Sequence, residues 1–173
     1  DILIIDGTSN HDIILLSQTL PEVNTQPQVR IDYYVKEQNP QHMLVSLLDD
    51  DGNFTIEQIR VAGLAGDDVI GFVTSETKLP EDVENPVNPN KGDPMSQAID
   101  LTQLAERSRD FIGVFDGNTG DDVLIGSDGR DRLDAGRGSD PVYGLAGDDR
   151  LWGDSGEGSS SDHDILYAGQ GND

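Results

Sequence analysis

From Gly117 to Asp173 the chain reads GNTGDDVLI, GSDGRDRLD, AGRGSDPVY, GLAGDDRLW, GDSGEGSSSDHDILY and AGQGND. The first four segments are nine residues long and share one register: glycine at the first and fourth positions, aspartate at the sixth, an aliphatic residue at the eighth. The third starts with Ala135 and carries its glycine one place later, at Gly136. The fifth is lengthened between Ser155 and His163, and the last ends at its sixth position. A period of nine holding one tight turn and one short strand decides the fold. It predicts an all-β stack of coils, two units to a coil.

Two glycines within four residues let the backbone enter positive φ without a Cβ penalty, so carbonyl oxygens can be aimed at the inside of the turn. Aspartate at the sixth position adds a short, hard carboxylate. Ca²⁺ takes about six to eight oxygen ligands, main-chain carbonyls included, more than one turn supplies. Equivalent turns stack about 4.8 Å apart, the spacing of strands in a sheet, and stacked partners lie two units apart. Asp122 then stands over Asp140 and Asp140 over Asp164 on one edge, Asp131 over Asp149 and Asp149 over Asp173 on the other. Main-chain ligands are expected at Gly117, Gly120, Gly126, Gly129, Gly136, Gly138, Gly144 and Gly147. The eighth positions, Leu124, Leu133, Val142, Leu151 and Leu166, face inward because side chains alternate across a strand. That core is thin. Apolar burial at about 25 cal/mol per Å² does not offset both chain entropy and carboxylate repulsion, so metal binding and folding are expected to be one event. One ion per stacked aspartate pair gives roughly four to six ions.

These units resemble the RTX, or haemolysin-type calcium-binding, nonapeptide repeat GGxGxDxUx. The resemblance covers about a third of the chain continuously, with two further turns nearer the start. It implies a parallel β-roll, a bacterial source, export by type I secretion, and folding at an extracellular or cell-surface location where calcium is abundant. Secreted members often carry a protease, lipase or epimerase domain beside the repeats, and others build adhesins or surface layers. Three roles follow: a calcium-binding structural module, an accessory segment of a secreted enzyme or toxin whose catalytic domain lies elsewhere, and an adhesion or surface-layer assembly module. Self-association or contact with a cell surface is the partner class attached to the last. Some members also cleave themselves at Asp-Pro bonds, and the chain has Asp93-Pro94 and Asp140-Pro141. Two dipeptides are thin support, and Asp140 already has a place as a ligand.

The composition agrees with an ion-binding stack. Net charge is −23, and 26 of the 34 acidic residues are aspartate, half of them from Asp116 onward. A merely solvated acidic surface has no need of Asp over Glu at a fixed period. Nucleic acid is excluded as a partner, since phosphate binding requires a basic footprint. There is no cysteine, so no disulfide contributes, and no apolar run is long enough for a transmembrane helix. The chain opens at Asp1 and stops in mid-unit at Asp173, the pattern of a segment of a longer protein.

Two isolated copies of the turn occur earlier. Gly63-Leu64-Ala65-Gly66-Asp67-Asp68-Val69-Ile70 is a full match, giving Asp68 as a ligand with main-chain donors at Gly63 and Gly66. Gly7-Thr8-Ser9-Asn10-His11-Asp12-Ile13-Ile14 puts Asn10 in place of the second glycine. Asparagine tolerates left-handed backbone, so Asp12 joins the candidate ligands on equal terms with a plain turn aspartate. Between the copies, Val29, Ile31, Tyr33 and Val35 alternate with polar residues as a half-buried strand does. Met43 to Leu48 and Phe54 to Val61 read as two more strands around a turn at Asp50-Asp51-Gly52-Asn53, an antiparallel hairpin or small sheet inserted in the roll. An EF-hand at that turn fails, because Leu47 would stand first and Gln58 twelfth.

Residues 79–94 hold four of the eight prolines and read as an extended linker. A short helix is expected next, capped by Asp93, with Pro94 in its first turn and Met95, Ile99 and Leu104 on one face, ending near Arg109. The organisation expected is therefore residues 1–72 as an N-terminal β region, 73–112 as an insertion, and 113–173 as the calcium-binding roll. Pro141 removes one ladder donor inside a strand and should fray it locally. The lengthened unit reads as an insertion bulging into solvent, with an added ligand at His163 or Asp162 the lesser alternative.

Catalytic motifs are weak. Gly153-Asp154-Ser155-Gly156 is similar to the nucleophile segment of trypsin-type proteases, but the nonapeptide register accounts for both glycines and no base with an orienting acid accompanies it. His11, His42 and His163 are the only histidines, none in an HExxH motif. No residue is assigned a catalytic role.

Overall fold

A computed structural model describes residues 2–19, 28–35, 41–46, 56–72, 96–97, 112–154 and 162–173. Among them the elements are all strands: β1 (Ile2–Asp6), β2 (Asp12–Thr19), β3 (Gln28–Val35), β4 (Gln41–Ser46), β5 (Gln58–Ala62), β6 (Val69–Phe72), β7 (Ser96–Gln97), β8 (Gly113–Thr119), β9 (Val123–Ile125), β10 (Arg132–Arg137), β11 (Pro141–Tyr143), β12 (Arg150–Trp152) and β13 (Ile165–Tyr167). One sheet runs β1-β5-β8-β10-β12 and the other β13-β11-β9-β6-β2-β3-β4. All pairs in the first sheet are parallel, as are those from β13 to β2 in the second.

The chain crosses from one sheet to the other at each glycine-aspartate turn. Each of β1, β5, β8, β10 and β12 therefore starts a coil that ends in β2, β6, β9, β11 or β13, and five coils stack into a parallel β-roll. The two isolated turns belong to this same stack. Gly7 follows β1 and Gly63 follows β5, directly beneath Gly117 within β8. Strands from residues 2–72 and 113–173 thus share both sheets.

The expected antiparallel excursion is present as β3 and β4, which extend the second sheet from β2 through Ile31↔Leu16 and Ile31↔Met43. Its third strand is not part of it. Gln58–Ala62 joins the other sheet, parallel to β1 and β8, because it leads straight into the Gly63 turn and so is the incoming strand of a coil. The turn at Asp50 to Asn53 lies outside the described residues. The expected helix is a second correction. Ser96–Gln97, within its span, are a strand, and no helix occurs among the described residues, the remainder of that span lying outside them. The overhang of β2 explains this: β6 pairs with β2 only as far as Leu16↔Phe72, and β7 takes up the exposed main chain at Gln18 and Thr19.

Between the sheets lies a core in which Leu124, Leu133 and Val142 are fully buried together with Ile14, Ile59, Ile70, Ile112 and Phe115, while Phe72 and Phe115 meet with ring centroids 5.1 Å apart. Leu151 is partly buried against it. Leu166 departs from the expected pattern and is 46% exposed, since β13 is the edge strand of its sheet, paired only with β11. A second buried cluster, Ile13, Leu15, Val69, Val123 and Ile125, covers the opposite face of the second sheet. Strands buried on both faces carry continuous apolar runs, and Ile13-Ile14-Leu15-Leu16, Val69-Ile70 and Val123-Leu124-Ile125 are such runs. Pro141 begins β11, where a missing donor is tolerated. Its pairing with β9 starts only at Val142↔Leu124, while on the other side it pairs with Ile165 of β13.

Candidate calcium-binding columns

Stacking the coils aligns the sixth-position aspartates in two columns, joined by one repeated hydrogen bond. The main-chain N–H of each aspartate donates to Oδ1 of the aspartate in the next coil. In the first column these bonds run Asp12 to Asp68 (2.7 Å), Asp68 to Asp122 (2.7 Å), Asp122 to Asp140 (2.7 Å) and Asp140 to Asp164 (3.2 Å). In the second, Asp131 donates to Asp149 (2.9 Å) and Asp149 to Asp173 (3.0 Å). The pairs two units apart are those expected from the sequence, and Asp12 and Asp68 extend the first column downward. The second column begins with Gly113, whose N–H donates to Asp131 Oδ1 at 2.8 Å.

The other carboxylate oxygen is where the chemistry lies. Asp68, Asp122, Asp140 and Asp149 are buried, and Oδ2 of each has no hydrogen-bond partner. An anionic oxygen withdrawn from water and left bare costs several kcal/mol. Burial accordingly drives these carboxyls upward, Asp122 to about 8, Asp68 and Asp149 to about 7, Asp140 to about 6; the N–H bonds lower them, and neighbouring aspartates raise them again. A proton or a cation removes the penalty, and at neutral pH a cation does so without competing against ionisation.

Main-chain oxygens crowd the same places. A Cβ built on Gly117 would lie 2.5 Å from both Asp122 Oδ2 and the Ala135 carbonyl oxygen. One on Gly126 would be 2.8 Å from both Asp131 Oδ2 and the Gly144 oxygen. At the fourth position the constraint is conformational as well. Gly120 has φ +133° and its missing Cβ would overlap the Gly66 carbonyl oxygen; Gly138, at φ +146°, stands in the same relation to Gly120. Successive turns therefore aim carbonyls along the column, coil to coil. Among the described residues no three acidic or histidine side chains converge as a ready-made metal cluster. What the turns offer is one carboxylate each plus backbone carbonyls, all-oxygen chemistry of the kind that suits Ca²⁺.

A family model for the RTX calcium-binding nonapeptide repeat matches in four copies, over residues 110–140, 125–158 and 160–173. Residues 110–173 are an RTX calcium-binding repeat tract. RTX repeats bind Ca²⁺ and mark calcium-binding modules of secreted bacterial proteins. The match to the RTX repeat begins after the Gly7 and Gly63 turns, which join its first column through geometry alone. No curated protein and no solved structure matches the chain. No helix among the described residues is long and apolar enough to cross a membrane.

Asp12 and Asp131 differ from the other column members. Both carboxylates are buried and hydrogen-bonded through both oxygens, Asp12 by Thr8 and the Tyr33 hydroxyl, Asp131 by Ser127 and Gly113. His163 lies in the stack, its N–H on Ser139 Oγ at 3.2 Å. A second, exposed ladder was not anticipated: Asp67 Oδ1 accepts the Asp121 N–H (3.1 Å), Asp121 Oδ1 the Ser139 N–H (2.9 Å), and Asp148 Oδ1 the Asn172 N–H (3.0 Å). The signal was the doubled aspartate in Asp67-Asp68, Asp121-Asp122 and Asp148-Asp149. Fifth-position oxygens tie neighbouring turns together outside the column.

Proposed function

We propose that the chain is a calcium-driven structural module in which Asp68, Asp122, Asp140, Asp149, Asp164 and Asp173, with carbonyls of the glycine turns, hold the ions. The observation that carries this reading is the row of bare, buried Oδ2 atoms at Asp68, Asp122, Asp140 and Asp149. Bound Ca²⁺ supplies positive charge and a demand for oxygen ligands. The residues hold themselves in column by the N–H to Oδ1 bonds, exclude water, and leave Oδ2 and the carbonyls for coordination. Ion binding and folding are then linked: at low calcium the charge repulsion holds the stack apart, and in a calcium-rich extracellular setting the coils close and stiffen. Elemental analysis of the chain after equilibration with calcium tests the assignment. Several ions per chain, one fewer in Asp122→Asn, is the expected result; an unchanged count in that variant contradicts it.

A further inference from the structure

Two turns are built to a different plan. In turns 63–68, 117–122, 135–140, 144–149 and 168–173 the second and fourth residues both have positive φ: Leu64 and Gly66, Asn118 and Gly120, Gly136 and Gly138, Leu145 and Gly147, Gly169 and Gly171. No residue of turns 7–12 or 126–131 does. In these two the second residue carries a hydroxyl, Thr8 or Ser127, and folds back on its own aspartate. Ser127 donates to Asp131 Oδ2 from N–H at 2.6 Å and from Oγ at 2.8 Å. Thr8 donates to Asp12 Oδ2 from N–H and to Oδ1 from Oγ1 at 3.1 Å. The fourth residue completes the ring, Gly129 N–H reaching Ser127 Oγ at 3.0 Å and Asn10 N–H reaching Thr8 Oγ1 at 3.1 Å.

The local N–H bond and the left-handed second residue are alternatives. Where the second residue is left-handed, its N–H does not reach the carboxylate, and Oδ2 is bare in the four buried cases; where it is not, the turn satisfies Oδ2 by itself. Among the described residues the two self-satisfied turns are also the lowest of each column. No coil of the described residues lies below Asp12, and its Oδ1 takes the Tyr33 hydroxyl (3.3 Å) from the inserted β3. Below Asp131 there is Gly113 in place of an aspartate turn. Two insertions enter the chain on that side, between β2 and β5 and between β6 and β8, where the second column would otherwise hold two more turns.

We propose that turns 7–12 and 126–131 are metal-independent caps, in which Thr8 and Ser127 hold Asp12 and Asp131 by hydrogen bonds, so that neither carboxylate is a calcium ligand. The inference rests on the reading that a bare Oδ2 marks a ligand. It limits the ions to the turns above each cap and gives both columns a closed, hydrogen-bonded start, where a column of identical turns would leave an incomplete site.

The test is ion counting on the full chain saturated with CaCl2 and freed of excess metal, comparing Asp131→Asn with Asp149→Asn. Asp131→Asn keeps the wild-type count, and Asp149→Asn loses an ion. Loss of an ion in Asp131→Asn overturns the cap, whereas an unchanged count in Asp149→Asn strikes the ligand assignment and leaves a distinct signature. If circular dichroism shows that Asp131→Asn does not fold in calcium, a crystal structure of the calcium-saturated wild-type chain decides: an ion within about 2.6 Å of either Asp131 carboxylate oxygen refutes the cap, and none at that distance supports it.

Discussion

A buried aspartate with one oxygen hydrogen-bonded and the other bare resists ionisation, and the columns repeat that arrangement coil after coil. In the metal-free fold the carboxyls of Asp122, Asp68, Asp149 and Asp140 are raised to about 8, 7, 7 and 6 from 3.8 by burial. Between about pH 4 and pH 8 the folded chain thus binds more protons than the unfolded one, and its stability falls as pH rises through that window. Chelated protein should therefore keep more β structure near pH 5 than near pH 8, read by circular dichroism. Calcium should bind more tightly at the higher pH, since protons and ions compete for the same oxygens; equal β content at the two pH values in chelator would contradict the assignment. Asp122→Asn removes one such oxygen's charge and should raise the calcium midpoint by about tenfold, close to 1.4 kcal/mol. The sixth-position aspartates were legible from spacing alone, because a fixed period makes them stack. What spacing did not disclose is that Asp12 and Asp131, identical in register, lose their bare oxygen to Thr8 and Ser127. That difference depends on the φ of the second residue, which residue type alone does not announce, since Leu64 and Leu145 take positive φ and Ser127 does not.

The turn works as a unit because its carbonyls and its missing side chains face the next turn. Gly120→Ala would force a methyl onto the Gly66 carbonyl at φ +133°, costing about 1–3 kcal/mol in backbone strain alone. Thermal denaturation in saturating calcium should show it, and Gly129, which lies in a cap and has no positive φ, carries no such backbone strain. Among the strands, the inward eighth positions followed from alternation, but the second apolar layer did not. Val123 and Ile125 at the seventh and ninth positions differ from Arg132 and Asp134 or Arg150 and Trp152, and that contrast separates strands buried on both faces from strands with one solvated face. The helix expected from Pro94 to Arg109 rested on local spacing. Ser96–Gln97 instead complete the open end of β2, because an unpaired ladder outweighs a weak local preference.

For the whole molecule, the five coils behave as a one-dimensional stack whose stability comes from contacts between neighbours. Leu133→Ala, deep in the core, should cost about 2–5 kcal/mol, while Leu166→Ala on the edge strand should change stability by about 0.5 kcal/mol or less. Both are read from melting in excess calcium. The continuous tract from Gly117 announced the roll. The sequence also hinted, through Gly7 and Gly63, that it starts earlier, but the placement of those turns in the same column required pairing across insertions that no local pattern encodes. With a net charge of −23 and carboxylates stacked coil upon coil, the account's central claim is that calcium holds this fold together. Far-ultraviolet circular dichroism of the chain, first saturated with calcium and then treated with excess chelator at pH 7.5, tests it most directly. The account predicts a β spectrum that collapses toward disorder on chelation and returns when calcium is restored; a β spectrum unchanged by the chelator would contradict it.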